Sequence, residues 1–355
     1  MSDTISHRFH PRDNSLNALR LLLASLVIVS HSWPLTLQDF EPHFGGANLG
    51  TWAVLGFFAI SGFLITRSRL RVRRTRDFYR ARALRILPAF VVALLVVAFV
   101  FAPLSQLVDP TASWQPLSSV EYVVRNLPLY PAFVAQPGID VTLTTNVYPI
   151  VWDGPLWTLF WEGICYLAVG ILVSVLPRKA VPAVVVVLLV GLTAVSLAGS
   201  LGVVNLPQLP TLVIPMILAF LGGSVLFLFA ERVPAGPVAV AVAVVVLAGI
   251  TVIGQGPALA ALPLAFLLVW LGCVLPLSRV GSKYDVSYGI YIYAWPVQQF
   301  LTLTVGPDFP IVLDLLIVFA VTVPLAFASC VLIERPFLAR KASAPLETPQ
   351  EAPFP

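Results

Sequence analysis

Charged side chains are scarce in this chain: Asp, Glu, Lys and Arg make up 11% of its 355 residues, about half the share of a soluble domain. Mean hydropathy is +0.92 and 58% of residues are hydrophobic, which excludes a soluble globular protein and reads as an all-α integral membrane protein. Cysteine is equally sparse. Cys165, Cys273 and Cys330 all lie in apolar runs, so they offer no disulfide framework and no metal spacing, and their default role is packing. No metal site is expected. Of four histidines, His7, His10 and His43 lie in polar segments and only His31 in a membrane span. The net charge of +4 does not point to nucleic acid, because the basic residues are placed as topology requires.

Ten apolar runs have the length of helices, near 17–37, 49–67, 84–104, 154–176, 180–200, 210–230, 236–254, 257–276, 286–305 and 311–333. Pro177, Pro207, Pro210, Pro234, Gly236, Gly256 and Gly306 mark most of the joins. Residues 1–16 read as a polar cytosolic tail. The first span is long and followed by many others, so it reads as an anchor rather than a cleaved signal. The proline-rich end, SAPLETPQEAPFP, makes 338–355 a disordered cytosolic tail. With both termini in the cytosol, 20 of the 21 basic residues fall on the inner side and only Arg125 outside, as the positive-inside rule demands. The expectation is a single bundle of about ten transmembrane helices over 17–337.

Ionisable groups inside spans are costly and seldom accidental. Arg20 and His31 are eleven residues apart on the first run. That separation puts them within roughly 20° of one helix face and about 16 Å apart along it. Between Arg67 and Arg85 stand nine arginines, more than orientation needs. Guanidinium forks bind phosphate, so this surplus suggests a phosphorylated cytosolic ligand, with anionic lipid headgroups as the competing reading. Arg80, Arg82 and Arg85 open the third run and are better placed to reach a pocket than the distal Arg71 and Arg73. Glu162 is the one acid well inside a span, ~12 Å past Gly154. His31 reaches a similar depth from the other side, so a His31–Glu162 pair is expected, with the carboxylate orienting the ring and stabilising imidazolium. Ser61-Gly62 lies mid-span and reads first as a close helix approach. A serine nucleophile activated by His31 is the sharper alternative. The long outer segment 105–153 interleaves Trp114, Tyr122, Tyr130, Tyr148 and Trp152 with Asp109, Glu121, Asp140 and Asp153. This composition suits sugar stacking or an interfacial aromatic belt.

Taken together, R-x10-H at Arg20 and His31, FFAISGFLI at 57–65, RARALRILP at 80–88, PLWTLFWEGICYL at 155–167, DVSYGIYIYAWPVQQ at 285–299 and ERPF at 334–337 resemble the acyltransferase-3 family of integral membrane O-acyltransferases, which O-acetylate bacterial surface glycans. The resemblance covers about residues 15–337. It implies a bacterial inner-membrane enzyme that takes an acyl group, acetyl in the first instance, from cytosolic acetyl-CoA. That group passes to a hydroxyl of an extracytoplasmic glycan or lipid-linked sugar, with no permanently bound cofactor. It also implies that Arg20 and His31 are the family's arginine and catalytic histidine, Arg82 and Arg85 its RxxR pair and Glu162 its helix-four acid. Arg20, Arg80, Arg82 and Arg85 then hold acyl-CoA, and Ser61, Tyr288 and Tyr291 are supporting candidates. His31 either takes the hydroxyl proton or carries the acetyl group. Two positions depart from many members: Leu55 stands where an Asp is common and Ala294 where a His is common. The expected partners are acyl-CoA, the sugar acceptor and membrane lipids. A non-enzymatic glycan or lipid flippase and a structural partner of a polysaccharide synthase are the alternative functions.

Overall fold

Proline and glycine end the apolar runs, and at those places the chain turns. The computed structural model describes residues 3–36, 41–72, 74–131 and 133–342, with the backbone alone for 340–342, and it is almost wholly helical. The helices are α1 (Ile5–Arg8), α2 (Leu16–Leu35), α3 (Leu49–Arg71), α4 (Thr75–Val96), α5 (Ala102–Ser105), α6 (Pro116–Asn126), α7 (Trp157–Val175), α8 (Val181–Ser200), α9 (Gln208–Leu228), α10 (Pro237–Val252), α11 (Gly256–Leu259), α12 (Ala261–Val274), α13 (Ser287–Val305), α14 (Ile311–Ser329) and α15 (Arg335–Ala342). A π-helical turn, Val97–Phe101, joins α4 to α5, and a second, Cys330–Glu334, joins α14 to α15. The one described hairpin pairs β1 (His43–Phe44) with β2 (Ala47–Asn48). Its turn residues Gly45 and Gly46 both have positive φ, a conformation glycine adopts without steric cost.

A helix occupies each of the ten expected runs. Seven described helices are long and apolar enough to cross a membrane. α10 and α12 are apolar but shorter, at 16 and 14 residues. α13 has 19 residues, but its glutamines, threonines and tyrosines keep it less apolar. It needs no lipid-facing surface, because nearly every residue from Ser287 to Gln299 is buried inside the bundle. α4 begins at Thr75 rather than 84, since arginine and alanine are strong helix formers and carry the helix through the basic stretch. Of the expected C-terminal tail, residues 338–342 belong to α15, which runs to Ala342, and residues 343–355 lie outside the described residues. The N-terminal tail is fastened down. Ile5 is fully buried, and the amides of Ile5 and Ser6 donate to the carbonyls of Val233 and Ala230.

α3 and α9 form the centre. More than half of each is buried, and they approach closely at Gly62 and Gly223. A Cβ on Gly62 would stand 1.9 Å from the Phe220 carbonyl oxygen, and one on Gly223 2.0 Å from that of Ala59. The Ser61-Gly62 pair therefore makes a close helix approach through its glycine. At the rim, α8 and α10 expose Val187, Val190, Val242, Val245 and Val252, a surface suited to hydrocarbon and not to water.

Helix directions define two ends. One carries the arginines. The other carries the segment between α5 and α7, folded around α6. Here Tyr122, Tyr130 and Trp152 are buried core residues, presented neither to a sugar nor to an interfacial belt. Trp114 is half-buried and donates to Ser119 and the Ala98 carbonyl, and only Tyr148 among these rings is exposed. Asp109 and Asp153 are buried as well, and Glu121 pairs with Arg125. Burial pushes the Asp153 carboxyl well above the usual carboxylate range, because the charged form loses its hydration.

Candidate active site

The nine clustered arginines divide by neighbour. Arg69 is buried at the end of α3, where it donates to the Val72 carbonyl, Thr75 and Ser174. It pins the α3–α4 turn to the end of α7. Arg67 lies over the Phe9 ring. Arg71, Arg74, Arg76 and Arg80 are exposed, and Arg73 lies outside the described residues. The structure thus separates Arg80 from Arg82 and Arg85. Residues 82 and 85 share a helix face, whereas 80 is two residues from 82 and turned to the far side.

Arg20 of α2 and Arg85 of α4 converge on Asp285, a residue the sequence reading left without a role. Arg20 Nη1 donates to Asp285 Oδ2 at 3.1 Å, and Arg85 Nη2 donates to the same oxygen. The other carboxylate oxygen accepts from the Ser287 hydroxyl at 2.6 Å and its amide at 3.2 Å. Asp285 lies at the mouth of the bundle, before α13. Burial alone would raise its carboxyl, but the Arg20 and Arg85 charges and the Ser287 and Arg85 hydrogen bonds outweigh it and hold it at about 2. Glu334 is buried nearby, within electrostatic range of Arg85 and Arg20. Tyr288 of α13 donates to the Ile86 carbonyl and ties α13 to α4.

One step deeper, Glu162 of α7 accepts from the Ser61 hydroxyl at 2.6 Å and from the Tyr166 hydroxyl on the next turn. Arg82 lies within electrostatic range of both Tyr166 and Glu162, and its Nε is buried with no hydrogen-bond partner.

Toward the far end of α2 stands His31. Its ring meets Trp295 edge-on at 4.8 Å, and its Nδ1 is buried without a partner. The neighbouring turn is held rigidly. Ser32 donates to Asp314 at 2.6 Å, and Gln298 donates to Ser32 and the Ile28 carbonyl. Trp295 is fixed in turn by its bond to the Val151 carbonyl. Tyr291, one turn below, bonds Thr158 and the Pro155 carbonyl, which binds α13 to the start of α7.

The expected His31–Glu162 pair is not formed. Among the described residues no hydrogen bond or ion pair joins them. Among the described residues Ser61 makes no hydrogen bond to His31; its hydroxyl donates to Glu162. Spacing along α7 puts Tyr166 one turn from Glu162, but it cannot reveal which residue of another helix reaches the carboxylate, and Ser61 does. Asp285, Tyr166 and Trp295 were the missed residues. Asp285 had one sequence signal, an acid placed directly before a buried tyrosine-rich helix. Leu55 and Ala294, the two departures, are buried apolar residues.

The bundle therefore encloses three separate polar groups: a guanidinium–carboxylate cluster near the start of α2, a Ser61–Glu162–Tyr166 group with Arg82 in electrostatic range, and, toward the end of α2, a histidine with an unengaged nitrogen. It can receive an anionic headgroup at one face and carry out proton or acyl transfer near the other.

Comparison with known proteins agrees with that chemistry. The model of the acyltransferase-3 family, described as an acyltransferase domain, matches residues 13–335. The O-acetyl transferase of Shigella phage Sf6 is 31% identical over 341 residues, covering 93% of this chain and 98% of that protein. Nodulation protein 10 of Rhizobium leguminosarum bv. viciae is 37% identical over 92 residues, 23% of each chain. No solved structure matches. On a family match spanning nearly its whole length and a full-length O-acetyl transferase relative, this multi-pass chain belongs to the acyltransferase-3 family of membrane O-acyltransferases.

Proposed function

We propose that the enzyme moves an acetyl group from cytosolic acetyl-CoA through the bundle to a hydroxyl of an extracytoplasmic glycan or lipid-linked sugar, in the inner membrane of a bacterium. The arginine-rich end then faces the cytosol, as the positive-inside rule requires, with both termini on that side and ten helices crossing. The observation that carries this reading is that α2 holds Arg20 in the guanidinium–carboxylate cluster near its start and His31, with an unengaged ring nitrogen, near its end.

Coenzyme A is too highly charged to cross lipid. Its phosphates engage Arg20, Arg82 and Arg85 at the inner mouth through charge-assisted hydrogen bonds, and the thioester reaches up toward His31. In direct transfer, the acceptor oxygen attacks the thioester carbonyl carbon while His31 takes the hydroxyl proton. The carbon–sulfur bond breaks and the thiolate leaves with the bond's electron pair, regaining a proton from the imidazolium. In the two-step route a His31 nitrogen bonds the acetyl carbon as the carbon–sulfur bond breaks and the thiolate leaves with its electron pair; the sugar oxygen then attacks that carbon, the carbon–nitrogen pair returns to the ring, and the hydroxyl proton passes to the thiolate. Both routes use the unengaged Nδ1 or the opposite ring nitrogen. Trp295 and the Ser32–Asp314–Gln298 bonds hold the ring's helix turn still. Glu162 serves as the mid-depth counter-charge to Arg82, with Ser61 and Tyr166 orienting it.

The test is acetyl-CoA-dependent labelling of glycan in membranes carrying wild-type protein or the His31→Ala variant at matched levels. Labelling that survives in the variant, or that needs no acetyl-CoA, overturns the proposal in favour of glycan transport.

A further inference from the structure

Asp285 holds two of the three arginines assigned to the acyl donor, and it does so from a fixed position. Its Oδ1 is bound by the hydroxyl and amide of Ser287, on the first turn of a helix buried along most of its length. The carboxylate is therefore not a loose side chain that happens to meet arginine. Both guanidiniums bind the single oxygen Oδ2, one from α2 and one from α4, so three helices meet at one atom. A guanidinium has five N–H donors. Among the described residues Arg20 and Arg85 each make no other hydrogen bond, which leaves most of those donors available. The third arginine, Arg82, is hydrogen-bonded to no carboxylate among the described residues, though Glu162 is in electrostatic range, and its buried Nε has no partner.

We propose that Asp285 is a positioning residue for the donor's phosphates. It locks Arg20 and Arg85 side by side so that their remaining N–H groups, together with Arg82, form a preorganised receptor for a phosphate dianion. A guanidinium already fixed in place loses less side-chain freedom when the anion arrives. Without the carboxylate, Arg20 and Arg85 repel each other more strongly, and among the described residues only the buried Glu334 remains as a nearby counter-charge. The opposite role would be that of an internal stand-in, in which the carboxylate occupies the phosphate's place and competes with it. The Ser287 anchor argues against that role, because a competitor must be able to withdraw.

This inference rests on the proposed acetyl-CoA reaction, and the experiment separates the two. Purified full-length protein in lipid nanodiscs is titrated with acetyl-CoA, giving Kd by calorimetry and kcat and KM by transfer to the acceptor glycan. Asp285→Asn keeps the shape and removes the charge. Ser287→Ala leaves every charge in place and removes only the hydroxyl that holds Oδ1. The expected result is a rise in Kd and KM of about tenfold in Asp285→Asn and a smaller rise in Ser287→Ala, with kcat at saturating acetyl-CoA largely kept in both. Should Asp285→Asn fail to fold, Ser287→Ala decides alone, by whether Kd rises without loss of kcat. Tighter or unchanged binding in the variants overturns the positioning role, as does a loss confined to kcat. Wild-type protein that binds no acetyl-CoA overturns the proposed function, whereas wild-type binding left unchanged by both substitutions overturns only this inference.

Discussion

The Ser61 hydroxyl donates to Glu162 across the α3–α7 contact at 2.6 Å, and this bond, with that from Tyr166, directs Glu162 toward mid-bundle rather than toward His31. Residues that share a hydrogen bond couple energetically. Ser61→Ala and Glu162→Gln should each slow transfer, and the double variant should fall short of the product of the two losses by a coupling of about 0.5–3 kcal/mol. Acetyl transfer rates at matched protein levels measure this. Strictly multiplicative losses would mean the bond has no role in turnover.

His31→Ala should reduce transfer by ~10²–10⁴, the scale of lost general-base help. No second histidine occupies a span to replace it. The protein should still insert and accumulate, since the change removes a polar group from an apolar run. Labelled-acetate incorporation and membrane protein level are read side by side.

Arg82→Ala should weaken acetyl-CoA binding by about 1–3 kcal/mol, the range for a lost charge-assisted hydrogen bond. Arg76→Ala and Arg80→Ala should change it far less, because both side chains are exposed and lie off the helix face that residues 82 and 85 share. Equal weakening across all three variants would assign the whole cluster to lipid headgroups instead.

Gly62→Ala should be destabilising at the centre of the fold. The added Cβ meets the Phe220 carbonyl oxygen at 1.9 Å, so α3 and α9 must separate, at a cost on the order of 1–3 kcal/mol. A lowered thermal midpoint in detergent and reduced membrane abundance are expected. Gly191→Ala, where a Cβ meets nothing within 4 Å, should leave both unaltered.

The acid limb of stability should not come from Asp285. Its folded-state value is depressed to about 2 from 3.8, so its stabilisation is present above 3.8 and is lost only as pH falls through the folded value. Between pH 8 and 5 the stability difference between wild type and Asp285→Asn should stay constant. A difference that shrinks between pH 7 and 5 would show that the arginines do not hold the carboxylate ionised.

Much of this protein was legible in its sequence because a membrane imposes local rules. Each apolar run must be a helix that satisfies its own backbone bonds, so the ten helices could be located from hydropathy and the Pro and Gly joins alone. Arg20 and His31 fall on one face of α2 because helix periodicity depends only on spacing. The glycine beside Ser61 announced a close approach, and the opposing Gly223 completes it.

Contacts between helices were decided only in three dimensions. A carboxylate bonds whichever donor is nearest, and sequence distance carries no information about that across separate spans. Glu162 therefore went to Ser61 of α3, beside Tyr166 one turn along its own helix, and His31 went to the edge of Trp295. Arg20 and Arg85 met at Asp285, 265 and 200 residues along the chain. The aromatic segment between α5 and α7 turned Tyr122, Tyr130 and Trp152 inward, since large rings gain more from burial than from standing exposed at the surface. Sequence alone determined which residues are helical and which polar groups the bundle must enclose. The tertiary structure decided how those groups pair, because pairing depends on helix rotation and packing distance, which no single run of residues contains.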